Sequence, residues 1–174
     1  MKFAFVAIVF LTLVDQGSKI LVRQYVEMYE VTVLMPNFLE LTHVENKGVS
    51  FSFLSDLPKM IRLPLLLSVS VIAVAGMLYY LIRYWHSIDS YLKTALTWII
   101  PGALGNLIDR ALFGAVTDFL HFRWYEISFF VNNLADCFIS IGVVFFILST
   151  LSAKSQEQEK TEHSSETSSP PHNN

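Results

Sequence analysis

Asp118 and Asp136 are the residues of this chain best placed to do chemistry. Each sits in an apolar, aromatic context, Val116-Thr117-Asp118-Phe119 and Asn133-Leu134-Ala135-Asp136-Cys137. Each also lies beside one of the last two stretches long enough to cross a bilayer. A carboxylate at bilayer depth costs about 2.5–3.5 kcal/mol on insertion scales. Two carboxylates brought together in a dry site cannot both ionise easily, so they share one proton. One can then take a proton from water while the other gives one to a carbonyl. The pattern points to an aspartic hydrolase inside a membrane.

Other polar residues gather near the same stretches. Asn106 and Arg110 are four apart and share a helix face. The planar donor fork of Arg110 suits a peptide carbonyl or a carboxylate, although an arginine snorkelling to the interface has the same position. Asp109 can pair with Arg110 or another base. Asn132, Asp136 and Ser140 are spaced as one helical ridge with Asn133 beside it. For Asn132 and Ser140, hydrogen bonding between helices is the plainer role. Asp15 and Lys19, four apart, make an ion pair on one helix face, either structural or behind the two aspartates. His43 and His121 stand at no ligand spacing, so neither a metal nor a cofactor is expected. Cys137 reads as a small packed residue, because a nucleophile needs a base and no histidine is close in sequence.

These residues must be positioned by membrane helices. The 174 residues are 53% hydrophobic and 16% charged, against about 45–50% and 25% in soluble domains. The excess lies in long apolar runs. No basic block suggests nucleic acid, and one cysteine excludes an intramolecular disulfide. Four stretches approach the roughly 20 residues a spanning helix needs: Phe3 to Val22, Leu63 to Ile82, about Lys93 to Leu112, and Ile127 to Leu151. Pro101 is expected to loosen or kink the third. Met1-Lys2 followed by Phe3 to Val14 imitates a signal peptide, but Asp15, Gln16 and Lys19 occupy positions where a cleavage site needs small residues. The first stretch therefore reads as a retained span.

Residues 23–62 form the large loop. Glu30-Val31-Thr32-Val33 and Leu39-Glu40-Leu41-Thr42 alternate as strands do, with Pro36-Asn37 as the turn between them. Val49, Phe51 and Phe53 follow a second turn at period two. The expectation is a small sheet on the membrane, confined to the loop between the first two helices. Residues 1–151 make the membrane domain. Residues 152–174, rich in Ser, Glu, Gln and Pro, are expected to be a disordered tail.

Four spans place both termini on one side and the large loop with Asp118 on the other. The distribution of lysines and arginines gives one assignment of the sides. Lys19, Arg23, Lys47, Lys59, Arg62, Arg110 and Arg123 outnumber Lys2, Arg83, Lys93, Lys154 and Lys160, which puts the large loop in the cytoplasm.

At these residues a resemblance emerges. Asp15-Gln16-Gly17-Ser18-Lys19, then Asn46-Lys47-Gly48-Val49-Ser50-Phe51-Ser52, resemble the first two motifs of the bacterial lipoprotein signal peptidases (signal peptidase II). Gly102-Ala103-Leu104-Gly105-Asn106-Leu107-Ile108-Asp109-Arg110 with Gly114-Ala115-Val116-Thr117-Asp118-Phe119 resembles the third, and Asn133-Leu134-Ala135-Asp136 the fourth. The match runs in order from about Lys2 to Leu151. Three positions depart from the family pattern: Thr117, Cys137 and Lys47.

The resemblance implies a mainly α membrane peptidase of four transmembrane helices with both termini cytoplasmic, against the charge count. It places the protein in the bacterial inner membrane. The implied activity is cleavage of prolipoproteins just before the cysteine that carries diacylglyceryl. It puts the catalytic aspartates at Asp118 and Asp136, and substrate contacts at Asn46, Gly102, Asn106, Arg110 and Asn133. Asp15 and Lys19 support. No cofactor is implied. The partners are lipid-modified precursors and membrane lipids, with no nucleic acid or metal. A transporter is the rival from another class, but it needs polar groups through the whole membrane thickness. Here they cluster near one face, and the second span offers only Ser68 and Ser70. A non-catalytic lipid-binding protein would need no carboxylate pair.

Overall fold

In the computed structural model, residues 1–48 and 58–167 are described, and the expected strand at Val49, Phe51 and Phe53 lies outside them. Four helices and four strands alternate in blocks. α1 is Lys2–Tyr25, β1 Val31–Met35, β2 Leu39–Asn46, α2 Lys59–Arg83 and α3 Ser90–Phe113. β3 is Val116–Trp124, β4 Ile127–Asn132 and α4 Leu134–Thr167.

α1, α2 and α4 are long and apolar enough to cross a membrane. Their large side chains point outward: Phe3, Val6 and Phe10 of α1, Val69 and Ile72 of α2, and Val144 and Ile147 of α4 are all exposed. Surface of this kind suits lipid rather than water. α1 buries a single stripe, Ala4, Ile8, Thr12, Asp15, Lys19 and Val22, at spacings of three and four. Its charged members, Asp15 and Lys19, fall in its second half and face the site.

α3 differs. It falls outside the group of helices apolar enough to span. It packs against α4, α1 and α2, so its sides meet protein rather than lipid. That surrounding lets α3 carry buried Asn106 and Asp109. It also lets small residues face α4: a Cβ on Gly142 of α4 would come within 2.8 Å of the Ala95 carbonyl of α3. The helix runs unbroken through Pro101.

Two sequence expectations change here. The sheet is not confined to the large loop. It has four antiparallel strands in the order β1-β2-β3-β4, and half of it follows α3. Ile127–Asn132, expected inside the fourth span, is β4, and α4 starts at Leu134. Short apolar runs do not separate strand from helix by periodicity. The tight turn at Tyr125 (φ 50°) decides it by folding Ile127–Val131 back on β3. α4 continues past Leu151 as far as Thr167. Ala153, Lys154, Gln156 and Glu157 favour helix, and extending a formed helix needs no new nucleus.

Gly114 turns the chain from α3 into β3. It adopts the left-handed conformation (φ 74°), and its N–H caps the Arg110 carbonyl at 3.0 Å. That cap delivers Asp118 five residues beyond the end of a buried helix.

Candidate active site

Asp118 is the third residue of β3 and is buried. β2 lies antiparallel beside it, with Val44 opposite Asp118 and Asn46 opposite Val116. Side chains two apart on a strand share a face, so Asn46 stands on the same side as Asp118. Its Nδ2 donates to Asp118 Oδ2 at 2.9 Å, while Asn133 Nδ2 donates to Oδ1 at 2.6 Å.

Asp136 occupies the first turn of α4. Asn133 is the residue before that helix, and the two cap each other. Asp136 N–H donates to Asn133 Oδ1 at 3.1 Å, and Asn133 N–H donates to Asp136 Oδ2 at 3.4 Å. This is a capping box with aspartate in the position usually held by Glu or Gln. The positive end of the helix dipole favours an anion there. Asn106 Nδ2 on α3 donates to Asp136 Oδ1 at 2.9 Å. Asn133 therefore brackets both carboxylates, its side-chain N–H on Asp118 and its backbone N–H on Asp136.

Burial pushes the Asp118 carboxyl up to about 6, and the charge of Asp136 adds to the rise. The amide donors of Asn46 and Asn133 and the more remote Lys19 charge oppose it. At neutral pH and below, a proton held at Asp118 is thus within easy reach, as general acid–base chemistry requires.

Behind the aspartates lies a buried ion cluster. Lys19 Nζ, fully buried, is 2.9 Å from Asp15 Oδ2 and 3.7 Å from Asp109 Oδ2. It also donates to Asn106 Oδ1 at 2.9 Å. That contact fixes the Asn106 amide, so its NH₂ must face Asp136. Asp15 Oδ1 accepts from the Ala135 N–H at 2.9 Å, tying α1 to the start of α4. The expected Asp15–Lys19 pair is present, and it holds the scaffold on which Asp136 stands.

Arg110 Nη2 donates to the Gly48 carbonyl at 3.1 Å. Its Nε is buried and has no hydrogen-bond partner among the described residues. A buried donor left unpaired costs about 1–3 kcal/mol. Gly102 is different from the other expected contacts: it is buried, and a Cβ there would collide with the Ala135 carbonyl of α4. Its place in the structure is one of close helix packing. Gly105 works the same way, against the Asp15 carboxylate. Asn132 ends β4 and is not on a helical ridge with Asp136, and Ser140 donates back to the Asp136 carbonyl at 2.8 Å. Cys137 is partly buried beside the dyad.

Two residues that sequence spacing did not single out join the site's frame. Gln16 Nε2 donates to Asp15 Oδ2 and to the Gly105 carbonyl, both at 3.1 Å. Arg23 reaches Asp109 from 86 positions away. Gln16 lay inside the first recognised motif, whereas Arg23 carries no local signal because its partners are remote in sequence.

Comparison with known proteins points to one family. A family model described as signal peptidase (SPase) II matches residues 7–152. The chain is similar to proteins named lipoprotein signal peptidase. One from Streptococcus pneumoniae is 35% identical over 86% of this chain and 94% of its own length. One from Tolumonas auensis is 38% identical over 80% and 84%. One from Rickettsia bellii is 37% identical over 75% of this chain, which spans 64% of that relative's length. A solved structure described as a bacterial membrane enzyme superposes with a TM-score of 0.77 at 25% identity, covering 90% of this chain and 92% of its own.

Proposed function

The chain belongs to the signal peptidase II family, and on that premise we propose that Asp118 and Asp136 are the pair with which it hydrolyses its substrate. The protein is an aspartic endopeptidase of the membrane that removes signal peptides from prolipoproteins, cutting before the cysteine bearing diacylglyceryl. The observation that carries the site assignment is the bracketing of both carboxylates by Asn133.

In the proposed mechanism the two carboxylates share one proton and hold a water between them. One acts as general base on the water, and the other polarises and protonates the scissile carbonyl. The proton belongs to the pair, so neither role is fixed to one residue. Asn46, Asn106 and Asn133 line the carboxylates with neutral donors and position the peptide. The Nε of Arg110, unpartnered among the described residues, takes a substrate carbonyl.

The same reading makes α3 a fourth span, enclosed by the others, with both termini in the cytoplasm of a bacterium. The sheet then lies on the outer face of the membrane. Exposed Trp124 and Tyr125 suit that interface. The substrate's acyl chains remain in the bilayer.

The test is incubation of purified protein in lipid with a diacylglyceryl-modified precursor and, separately, with the unmodified precursor. Release of the signal peptide from the modified form is the expected result. No release, or equal release from both, refutes the reading.

A further inference from the structure

Asp118 stands on a stretch of strand that the sheet supports on one side. β4 begins to pair with β3 at Leu120, so among the described residues Val116–Phe119 has β2 along one edge and no strand on the other. Those four residues are nonetheless buried. Their open edge is closed by side chains. Asp109 Oδ2 accepts the Thr117 N–H at 2.9 Å. Arg23 Nη1 donates to Thr117 Oγ1 at 2.7 Å and to Asp109 Oδ1 at 3.2 Å. The Arg23 guanidinium also lies 4.2 Å from the centre of the Phe113 ring, in the last turn of α3.

One guanidinium nitrogen therefore ties together α1, the end of α3 and the residue immediately before Asp118. The nitrogen has two hydrogens, one for each acceptor. Stacking on Phe113 limits how far the side chain can swing. Arg23 is one turn beyond Lys19 on α1, so the base that orients Asn106 against Asp136 and the base that holds the strand of Asp118 come from one rigid helix.

From this we infer that Arg23, acting through Thr117 and Asp109, is a positioning residue that sets Asp118 against Asp136 for hydrolysis. The inference rests on the proposed role of the two aspartates. Thr117 is one of the positions where the chain departs from its family's pattern, and here its hydroxyl accepts the bond that reaches it from Arg23.

The experiment measures kcat and KM per folded molecule for the full chain in lipid, using the diacylglyceryl-modified precursor. Arg23→Met is expected to lower kcat about tenfold with KM within about twofold, because displacing a reacting group by a fraction of an ångström costs rate rather than binding. Thr117→Val keeps the shape but removes the acceptor, and is expected to lower kcat about threefold to tenfold. Thr117→Ser and Arg23→Lys, which keep acceptor and donor, are expected to recover most of the loss. The double variant Arg23→Met with Thr117→Val is expected to be no worse than about twofold below Arg23→Met, since each change breaks one unit. Parental kcat in Arg23→Met, equal losses in Thr117→Val and Thr117→Ser, or additive losses in the double would each overturn the inference. So would variants that lower the melting temperature with kcat per folded molecule unchanged, which is the mark of a purely structural tie. A parental chain that cleaves nothing refutes the proposed function itself.

Discussion

Two pairs of aspartates lie within one bundle, and they are solvated in opposite ways. Asp15 and Asp109 face cations: Lys19 lies between them, and Arg23 closes on Asp109 at 3.2 Å. Two negative charges meet two positive ones, and the set is balanced. Asp118 and Asp136 receive hydrogen bonds from amides only, those of Asn46, Asn106 and Asn133, and form no ion pair among the described residues. The adjacent cation, Arg110, gives one donor to a backbone carbonyl and has another with no partner among the described residues. The charges of the first pair are matched by cations, while those of the second are met by neutral donors only. The difference separates a structural acid pair from the pair proposed to react, although both look alike as acidic residues in apolar sequence.

The strongest way to break this contrast is to change each member of the reactive pair to its amide. Asp118→Asn and Asp136→Asn are each expected to lower cleavage at least about a thousandfold, and the double variant little further, since the pair acts as a unit. Stability should go the other way. A carboxylate whose pKa is higher folded than unfolded binds its extra proton only in the folded state between pH about 4 and about 6. Stability therefore falls as pH rises through that window, by up to about 3 kcal/mol for a rise to about 6. Asp118→Asn removes that cost. Its melting temperature above pH 6 is expected to equal or exceed the parent's, with part of the gain offset because the new NH₂ must face an amide donor. Turnover surviving in either single variant, or a large loss of melting temperature, would erase the distinction between the pairs.

The balanced cluster should respond in reverse. Lys19→Met leaves Asp15 and Asp109 buried with one cation fewer. Breaking a buried pair in this way costs about 3–5 kcal/mol. The expected result is poor accumulation and a lower melting temperature, with lost activity tracking lost folded protein. A Lys19→Met protein that folds normally and only cleaves slowly would move Lys19 into the catalytic machinery.

This contrast was only partly legible in the sequence. The apolar settings of Asp118 and Asp136 marked them, and i,i+4 spacing revealed Asp15 with Lys19. Spacing could not supply the cross-helix partners: Asn106 to Asp136, Arg23 to Asp109 and Asn133 to Asp118 all bridge separate elements. The start of α4 was readable in principle, because Asn133 and Asp136 stand three apart as a helix-start signal. An apolar run at Ile127–Val131 hid it by seeming to begin the span earlier. α3 was legible by length but not by hydropathy, because neighbours on three sides let it be the polar centre of the bundle.

Arg110 tests the middle ground between the two pairs. It is a half-buried cation that balances no single aspartate, and its Nε, without a partner among the described residues, needs an acceptor. Arg110→Lys keeps the charge and loses the planar fork. If the fork serves substrate, kcat/KM should fall about tenfold, near the 1.4 kcal/mol of one hydrogen bond, with melting temperature almost unchanged. Parental kcat/KM would make Arg110 an interface anchor. A melting temperature lost with the activity would make it part of the balanced frame.

The smallest effect is expected at the far end of α4. Asp136 and Ser155 are separated by nineteen helical residues, about 28 Å at 1.5 Å each. Neither pair of aspartates lies near that end. Among the described residues the last tie there is Ser149, whose hydroxyl donates at 2.6 Å to Asp89, the cap of α3. Deleting residues 155–174 keeps that tie and removes a polar, low-complexity stretch. Cleavage and melting temperature are both expected to stay within about twofold and about 2 °C of the parent, since surface changes away from buried features rarely exceed 0.5 kcal/mol. A tenfold loss of turnover at normal expression would mean that the tail reaches the chemistry through a contact outside both clusters. The comparison of two acid pairs would then leave out a third element on which cleavage depends.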